Sequence, residues 1–289
     1  MKPSIAAFSP ILVVVLMSQL AFAQKSVSLA DNAALRYWSA FSALQDSAIT
    51  EQQARELNAI LDGTAPYDDL KYKALIEKNA LALEIMARAT SLPSCDWGLD
   101  YRASDVPVEY ARKSLVLGRL NVLYAFHLFV SGDKDGGIHA LEAGLRFSDD
   151  VANGGSLFAT LVAKDLLVSH LRVVADALHL EQISPAQRAR LQEAVTRLGE
   201  GLDWRTAAKL DLEGLRGRYA TDAVASAALT QITSAYVAVL DDPSKMPLLN
   251  GAIRSAPQQL TDLIPNATRV LEQKQELNDK LLQTRSLLK

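Results

Sequence analysis

The sequence SLFATLVAKDLLVSHLRVVADALHL, residues Ser156 to Leu180, decides the fold class of this chain. Its apolar residues fall on nearly every side of a helical projection, a pattern typical of a helix that has neighbours all round it. Such a helix needs other helices to cover it, and strand patterns are almost absent from the rest of the chain. We therefore predict an all-α protein with a helix over 155–180 at its centre.

Helix signals continue on both sides of this segment. Capping boxes, in which a hydroxyl and a Gln side chain satisfy the first backbone amides of a helix, begin at Thr50, Ser184 and Ser255. Glycine and proline mark the helix ends, and the short connections make successive helices antiparallel neighbours. The pattern predicts helices over 31–47, 50–62, 67–91, 105–131, 134–150, 155–180, 184–199, 203–240, 255–264 and 267–287.

Two segments interrupt this pattern. Residues 91–107 (SLPSCDWGLDYRASDVP) are rich in turn formers, and we interpret residues 241–251 (DDPSKMPLLNG) as a hinge or subdomain boundary. We accordingly predict an all-helical domain over residues 24–240 and a C-terminal helical extension or cap over residues 241–289. The last helix has a narrow leucine stripe that either caps the domain or pairs with a partner helix in a homo-oligomer; the stripe consists of Leu277, Leu281 and Leu288.

The segment from Leu117 to Phe147 predicts a helical hairpin with its turn at Gly132-Asp133. Small, large and small residues follow one another on its second helix and allow two helices to approach closely; they are Gly137, Leu141 and Gly144. In this respect the segment resembles one tetratricopeptide hairpin. The resemblance implies antiparallel helical hairpins stacked as a tetratricopeptide-like bundle or short solenoid.

Several peptides give the chain a wider resemblance. They are NAALRYW at 32–38, CDWG at 95–98, the Gly132-Asp133 turn, and LDWR at 202–205. On these residues, over roughly 30–215, the chain resembles a group of exported, all-helical bacterial proteins. The resemblance implies export and helical architecture, and it implies no particular activity.

Residues 1–23 predict a cleaved signal peptide. Lys2 provides a positive n-region, the residues from Ile11 to Met17 form an unbroken apolar core, and Ala21-Phe22-Ala23 supplies the small-x-small site of a signal peptidase. The apolar run is too short to span a hydrocarbon layer of roughly 30 Å. We therefore expect export to the periplasm or the extracellular space, with no transmembrane segment left after processing.

The composition restricts partners and the sources of stability. With 30 Lys and Arg against 33 Asp and Glu, the formal net charge is −3, which argues against nucleic acid as a partner because that requires a basic surface. Cys95 is the only cysteine, so the chain has no internal disulfide and depends on apolar packing. We interpret Cys95 as a small buried group; a reactive thiol, a mixed disulfide and an intermolecular bridge are the alternatives.

The peptide CDWGLDY, which starts at Cys95, is the most unusual candidate for a ligand-binding site. In that interpretation Trp97 and Tyr101 stack on a ligand while Asp96 and Asp100 fix its orientation. In the structural interpretation the segment fills a groove between helix layers, with Trp97 packed inside and Asp96 or Asp105 capping a helix.

Asp165, Ser169 and His170 predict a short buried polar network, which serves either proton transfer or packing. The histidines lack metal-ligand spacing, and the Asp149-Asp150 pair is explained by its place at a helix end. The chain contains no Walker loop, dinucleotide fingerprint or nucleophile elbow. The sequence therefore indicates no metal, no cofactor and no assigned catalytic residue. Three aromatic residues of the first helix are expected in the core: Tyr37, Trp38 and Phe41.

Two classes of function fit these observations. The first is an exported binding or scaffold protein of the cell envelope, which holds a protein segment, a peptide or a small molecule in a groove between helix layers. The alternative is a hydrolase or lyase of envelope polymers that uses paired titratable groups, namely Asp96, Asp100, Asp165 and His170. Convergence of these four side chains in an open cleft would favour the enzyme, and their scatter would favour binding.

Overall fold

A computed structural model describes residues 29–45, 51–100, 109–179 and 183–289. These residues form thirteen α-helices and two 3-10 turns, with no β-strand among them. The predicted all-α class is therefore confirmed, and the helix packing is compatible with a bundle or a short solenoid. The predicted signal peptide, residues 1–23, lies outside the described residues.

The helices are numbered here in chain order. Their bounds are α1 Ala33–Ala43, α2 Glu51–Asp62, α3 Asp69–Lys78, α4 Ala80–Ala89, α5 Glu109–Ser131, α6 Lys134–Ala152, α7 Leu157–His179, α8 Pro185–Arg197, α9 Trp204–Arg218, α10 Ala223–Asp241, α11 Met246–Arg254, α12 Gln258–Thr261 and α13 Ala267–Leu288. The 3-10 turns are Leu29–Asp31 and Pro243–Lys245. The capping box predicted at Ser184 is present, with Gln187 at its third position.

Helix α7 is the centre of the fold, as its sequence predicts. It packs against α5, α6, α9 and α13, and more than half of its 23 residues are buried. The hairpin predicted over 117–147 is also confirmed, because α5 and α6 are antiparallel neighbours joined at Gly132, which has φ +86°. Asp133 begins α6 by accepting a hydrogen bond from the Gly136 amide.

A buried polar contact fixes α5, α6 and α7 together. The Asn121 side chain donates to the Ala140 carbonyl (2.9 Å) and lies 3.0 Å from His170 Nε2. His170 Nδ1 lies 2.7 Å from the Leu166 carbonyl, which only accepts, so this nitrogen carries the proton and Nε2 accepts from Asn121. Burial lowers the pKa of His170 to about 4. His170 is therefore a neutral residue of the core, and the α6 backbone lies close to its ring at Gly144.

The helix predicted over 67–91 is divided in two. The Asn79 side chain accepts a hydrogen bond from the Gln45 amide (2.8 Å) and donates to the Leu75 carbonyl (3.0 Å). This contact links Asn79 to the end of α1, and α3 gives way to α4 at the same residue. A long-range contact thus breaks a helix whose local pattern is continuous.

The helix predicted over 203–240 is likewise two helices, α9 and α10. Asp222 starts α10 by accepting hydrogen bonds from the amides of Val224 and Ala225 (both 3.0 Å). The hairpin of α9 and α10 packs its distal end around a small separate apolar cluster, formed by Leu215, Ala225, Leu229 and Leu260.

Most of the segment 241–251 is helical. Helix α11 begins at Met246 and places Leu249 in the same apolar core as α1 to α8. The capping box predicted at Ser255 is wrong: Ser255 ends α11, and the short α12 starts after Pro257 without a side-chain cap.

The C-terminal helix α13 closes the core of the domain. It packs on α7, α8 and α10, and its three stripe leucines are buried in the common core. The buried Lys164 of α7 binds Glu276 of α13 (Nζ to Oε2 2.5 Å), and Arg188 donates to the Leu287 carbonyl (2.8 Å). The leucine stripe thus acts as a cap within the chain.

Two of the described helices, Glu109–Ser131 and Ala223–Asp241, are long and apolar enough to cross a membrane by length and composition. Both helices also contribute residues to the apolar core. Half of the most apolar stretch is buried in the first helix and a third in the second. Core helices of globular domains meet the same criteria.

Candidate ligand-binding cleft

Trp97 fills the space between helices instead of standing at a rim. Its side chain is 8% exposed and its ring stacks on Phe41 (centroids 6.1 Å apart) and on Tyr37 (5.8 Å). The indole Nε1 donates to the Asp150 carbonyl at 2.8 Å. Because aromatic side chains of the core take up the ring faces, Trp97 has the role given by the structural interpretation.

The rest of this segment makes local and structural contacts. The Asp96 carboxylate accepts from the Gly98 amide (2.9 Å), and the Asp96 backbone exchanges two hydrogen bonds with the Asn32 side chain (2.8 and 2.9 Å). Asp100 is exposed. Tyr101, the fourth predicted ligand-binding residue, lies outside the described residues. The segment therefore anchors the start of α1, where Asn32 is the N-cap.

The polar network of α7 differs from the predicted one. Asp165 is exposed, and the Ser169 hydroxyl donates to the Asp165 backbone carbonyl at 2.9 Å. Of the three predicted members only His170 is buried in the core, where its partners are Asn121 and Leu166. The acid–base candidates of the enzyme hypothesis are thus scattered over a core position, the exposed side of α7 and the segment after α4.

Asp150 is a functional candidate that sequence reasoning passed over. It is fully buried, accepts a hydrogen bond from the Tyr37 hydroxyl (2.7 Å), and pairs with the Arg146 guanidinium (3.1 Å). Burial raises the pKa of its carboxyl to about 6, against the lowering effect of Tyr37 and Arg146. Asp150 therefore holds one end of Arg146 from inside the protein.

Cys95 lies on the other side of the same residue. Its Sγ is 3.7 Å from the Asp150 carbonyl, and the side chain is half-buried. Desolvation by burial, followed by the nearby Asp150 charge, raises the pKa of the thiol well above its ordinary range. The thiolate, which is the reactive form, is thus disfavoured.

A cleft of about 450 Å³ opens beside the Asp150 cluster, where the end of α4 meets α6 and α8. Apolar side chains form part of its wall, among them Leu92, Leu145 and Leu198. Charged side chains from α6 and α8 form the rest, namely Glu142, Arg146, Asp149, Arg190, Glu193 and Arg197. The cleft combines an apolar surface with fixed charges of both signs, as ligand sites commonly do.

Ion pairs order most of these charged groups. Arg190 of α8 makes two hydrogen bonds with Glu142 of α6, from Nε (3.0 Å) and Nη2 (2.5 Å). Arg197 pairs with Glu193 of its own helix. Both carboxylates line the cleft with their arginines, so each pair is neutral as seen from inside the cleft.

Arg146 and Asp149 have a different environment. The partner of Arg146 is Asp150, which is buried behind the wall of the cleft. Asp149 is half-buried and, within the part of the chain that the structure describes, makes no hydrogen bond or ion pair. Burial raises the pKa of its carboxyl, and the nearby Arg146 charge opposes that rise.

A second polar cluster, outside the cleft, ties α3 to α5. His127 Nδ1 lies 2.6 Å from an Asp69 carboxylate oxygen, which also accepts from the Tyr67 hydroxyl (2.9 Å). These hydrogen bonds, with that of His127 the largest influence, lower the pKa of Asp69. No sequence motif marks this cluster, because Asp69 and His127 lie 58 residues apart.

No group of three or more candidate metal-binding side chains occurs among the residues that the structure describes. No family model, curated protein or solved structure matches the chain. A functional assignment rests on the cleft between α4, α6 and α8, because its lining combines apolar side chains with charges of both signs.

Proposed function

We propose that this chain is an exported binding protein that holds a small molecule or peptide in the cleft between α4, α6 and α8. The observation that carries this proposal is the cleft itself, whose volume of about 450 Å³ falls in the range of about 300–1,000 Å³ typical of ligand sites. Binding needs no reactive group, which agrees with the scatter of Asp96, Asp165 and His170.

The walls of the cleft support binding because they are held in place without a ligand. The Arg190–Glu142 pair bridges α8 and α6 across the cleft. On α6, the buried Asp150, which accepts a hydrogen bond from Tyr37, fixes the position of Arg146. A preformed site loses less conformational entropy on binding than one that must be ordered by its ligand.

Export rests on the signal-peptide pattern of residues 1–23. The full chain, expressed in a Gram-negative host, should yield a periplasmic species whose intact mass begins at Gln24. A chain that keeps Met1 and stays in the cytoplasm would contradict export and leave the cleft untouched.

The cleft is tested by native mass spectrometry of the mature chain purified from the envelope of its own host. Ala194 lines the cleft and Ala74 is exposed on α3, so Ala194→Trp blocks the site and Ala74→Trp is a matched control. The expected result is an adduct on the wild type and on Ala74→Trp that is lost from Ala194→Trp, with unchanged far-UV circular dichroism. An adduct retained by Ala194→Trp, or none on any form, would overturn the proposal.

A further inference from the structure

We propose that the ligand of this cleft is a free α-amino acid with an apolar side chain, its carboxylate bound by Arg146 and its ammonium by Asp149. The proposal rests on the proposed function, because it names the ligand class of the same cleft. Its basis is the position of one unlike-charged pair of side chains on α6.

Arg146 is the cleft arginine whose positive charge is available to a ligand. Its countercharge, Asp150, is buried behind the wall, whereas the carboxylates that pair with the other two arginines share the cleft with them. The Arg146 side chain is 39% exposed, so a ligand reaches it. A guanidinium binds a carboxylate through two parallel hydrogen bonds, and a cation fixed from behind is suited to that geometry.

Asp149 supplies the complementary negative group. It follows Arg146 by three residues on α6, so the two side chains are neighbours on one face of the helix. Both line the cleft, and Asp149 makes no hydrogen bond or ion pair with the residues that the structure describes. The carboxylate and ammonium of an α-amino acid are attached to one carbon, so they need two receptor groups of opposite charge side by side.

The remaining wall selects the side chain of the ligand. Leu92, Leu145 and Leu198 give it an apolar surface. The two neutral ion pairs, Arg190–Glu142 and Arg197–Glu193, leave no unpaired charge for a charged ligand side chain. A simple anion is disfavoured because Asp149 repels it, which is how like charges exclude wrong ligands.

Calorimetric titration of the mature chain with L-leucine tests the assignment. Leucinamide lacks the carboxylate and N-acetyl-L-leucine lacks the ammonium, so we expect each to bind the wild type at least tenfold more weakly. L-Glutamate and L-lysine are expected to bind at least tenfold more weakly than L-leucine or L-phenylalanine. If the wild-type protein bound leucine and both blocked analogues equally well, the assignment of an α-amino acid as ligand would be overturned.

Two variants assign the groups, and a third is the control. Arg146→Gln should weaken leucine binding at least tenfold and remove the preference for leucine over leucinamide. Asp149→Asn should do the same for leucine over N-acetyl-leucine. Arg88→Gln alters an exposed arginine that pairs with Glu84 and does not line the cleft, and it should leave binding unchanged. An unchanged preference in either cleft variant overturns the role given to that residue.

The ligand class and the binding function fail in different ways. An envelope adduct that Ala194→Trp removes, combined with no binding of any amino acid above, overturns the ligand class and leaves the binding function in place. The absence of any adduct together with the absence of amino-acid binding overturns both. Binding of L-leucine that Ala194→Trp abolishes supports both.

Discussion

At the scale of single residues, Asp150 is the side chain with the most demanding environment. Its carboxylate has no solvent exposure and depends on Tyr37 and Arg146 for its interactions. Trp97 and Cys95 lie against its backbone carbonyl. Helix α1, helix α6 and the segment that follows α4 are therefore connected at one buried carboxylate. The same carboxylate positions Arg146 in the cleft.

Replacing Asp150 tests this cluster. We expect Asp150→Asn to lower the free energy of unfolding by about 1.5–3 kcal/mol, because hydrogen bonds to a charged group are lost in a buried site. Asp262 is exposed, so Asp262→Asn should change the free energy of unfolding by less than about 0.5 kcal/mol. Urea unfolding at pH 7 measures both. Equal losses in the two variants would contradict a stabilising buried pair.

His170 predicts how stability depends on pH. Its pKa of about 4 in the folded protein is below the value of about 6.5 expected when unfolded, so the unfolded chain binds the extra proton between these values. The stability contributed by neutral His170 is thus complete above pH 6.5 and lost as the pH falls to 4. Asp150 and Asp211, whose folded pKa values of about 6 are raised, change stability in the opposite direction between pH 4 and 6.

Because these effects oppose each other, the difference between wild type and His170→Gln isolates the histidine. Between pH 7 and pH 4, the wild type should lose about 3 kcal/mol more free energy of unfolding than the variant, at about 1.4 kcal/mol per pKa unit. Urea unfolding across this pH range gives both curves. Parallel curves would show that His170 is not held neutral in the core.

Only some of these residue roles can be predicted from the sequence. It placed Trp97 either on a ligand or inside a groove, because both uses require the same large amphipathic side chain. It explained Asp150 by its place at a helix end, since nothing local reveals that Tyr37, 113 residues away, donates to it. The cleft likewise depends on Arg190 meeting Glu142 across two helices, 48 residues apart.

At the scale of helices, the local patterns predict most elements and the long-range contacts correct them. The apolar surface of α7 identifies it as the central helix, because burial on all sides leaves its mark on one stretch of sequence. The break at Asn79 has no such mark: it depends on a hydrogen bond to Gln45, in another part of the chain. The division between α9 and α10 was in principle readable, since Asp222 is a good N-cap residue.

Close helix packing at Gly144 gives a sharp prediction. A Cβ atom there would lie 2.1 Å from His170 Nε2 and 2.5 Å from Asn121 Nδ2. We expect Gly144→Ala to reduce the free energy of unfolding by about 1–3 kcal/mol, as overpacked cores do. Gly251 of α11 has open space around it, so Gly251→Ala should be neutral or stabilise by up to about 1 kcal/mol. Thermal unfolding measures both variants. Equal shifts of the two midpoint temperatures would contradict close packing at Gly144.

Two neighbouring leucines test the capping role of α13. Leu281 is 2% exposed and Leu282 is 64% exposed. Leu281→Ala should cost about 2–5 kcal/mol because it leaves a cavity in the core, whereas Leu282→Ala should cost less than about 0.5 kcal/mol. Chemical denaturation compares them, and light scattering records the mass. A change of oligomeric state with no loss of stability in Leu281→Ala would instead favour pairing with a partner helix.

At the scale of the whole molecule, one apolar core extends from α1 to α13, and a small second cluster lies at the distal end of α9 and α10. Segments with few buried contacts open more readily than the core to which they are attached. Native hydrogen exchange should therefore show lower protection for the first turns of α10, over 223–230, than for α7. Uniform protection of both helices would mean that the two clusters unfold as one unit.

The ion pair between Lys164 and Glu276 affects the order in which contacts form during synthesis of the chain. Lys164 belongs to the helix that becomes the centre of the fold, and Glu276 is synthesised 112 residues later. Until then the carboxylate described beside the buried Lys164 ammonium is that of the exposed Asp165, 3.5 Å away, and a buried charge that lacks a well-placed partner is unfavourable. The central helix therefore gains this buried ion pair only after that part of α13 has been synthesised.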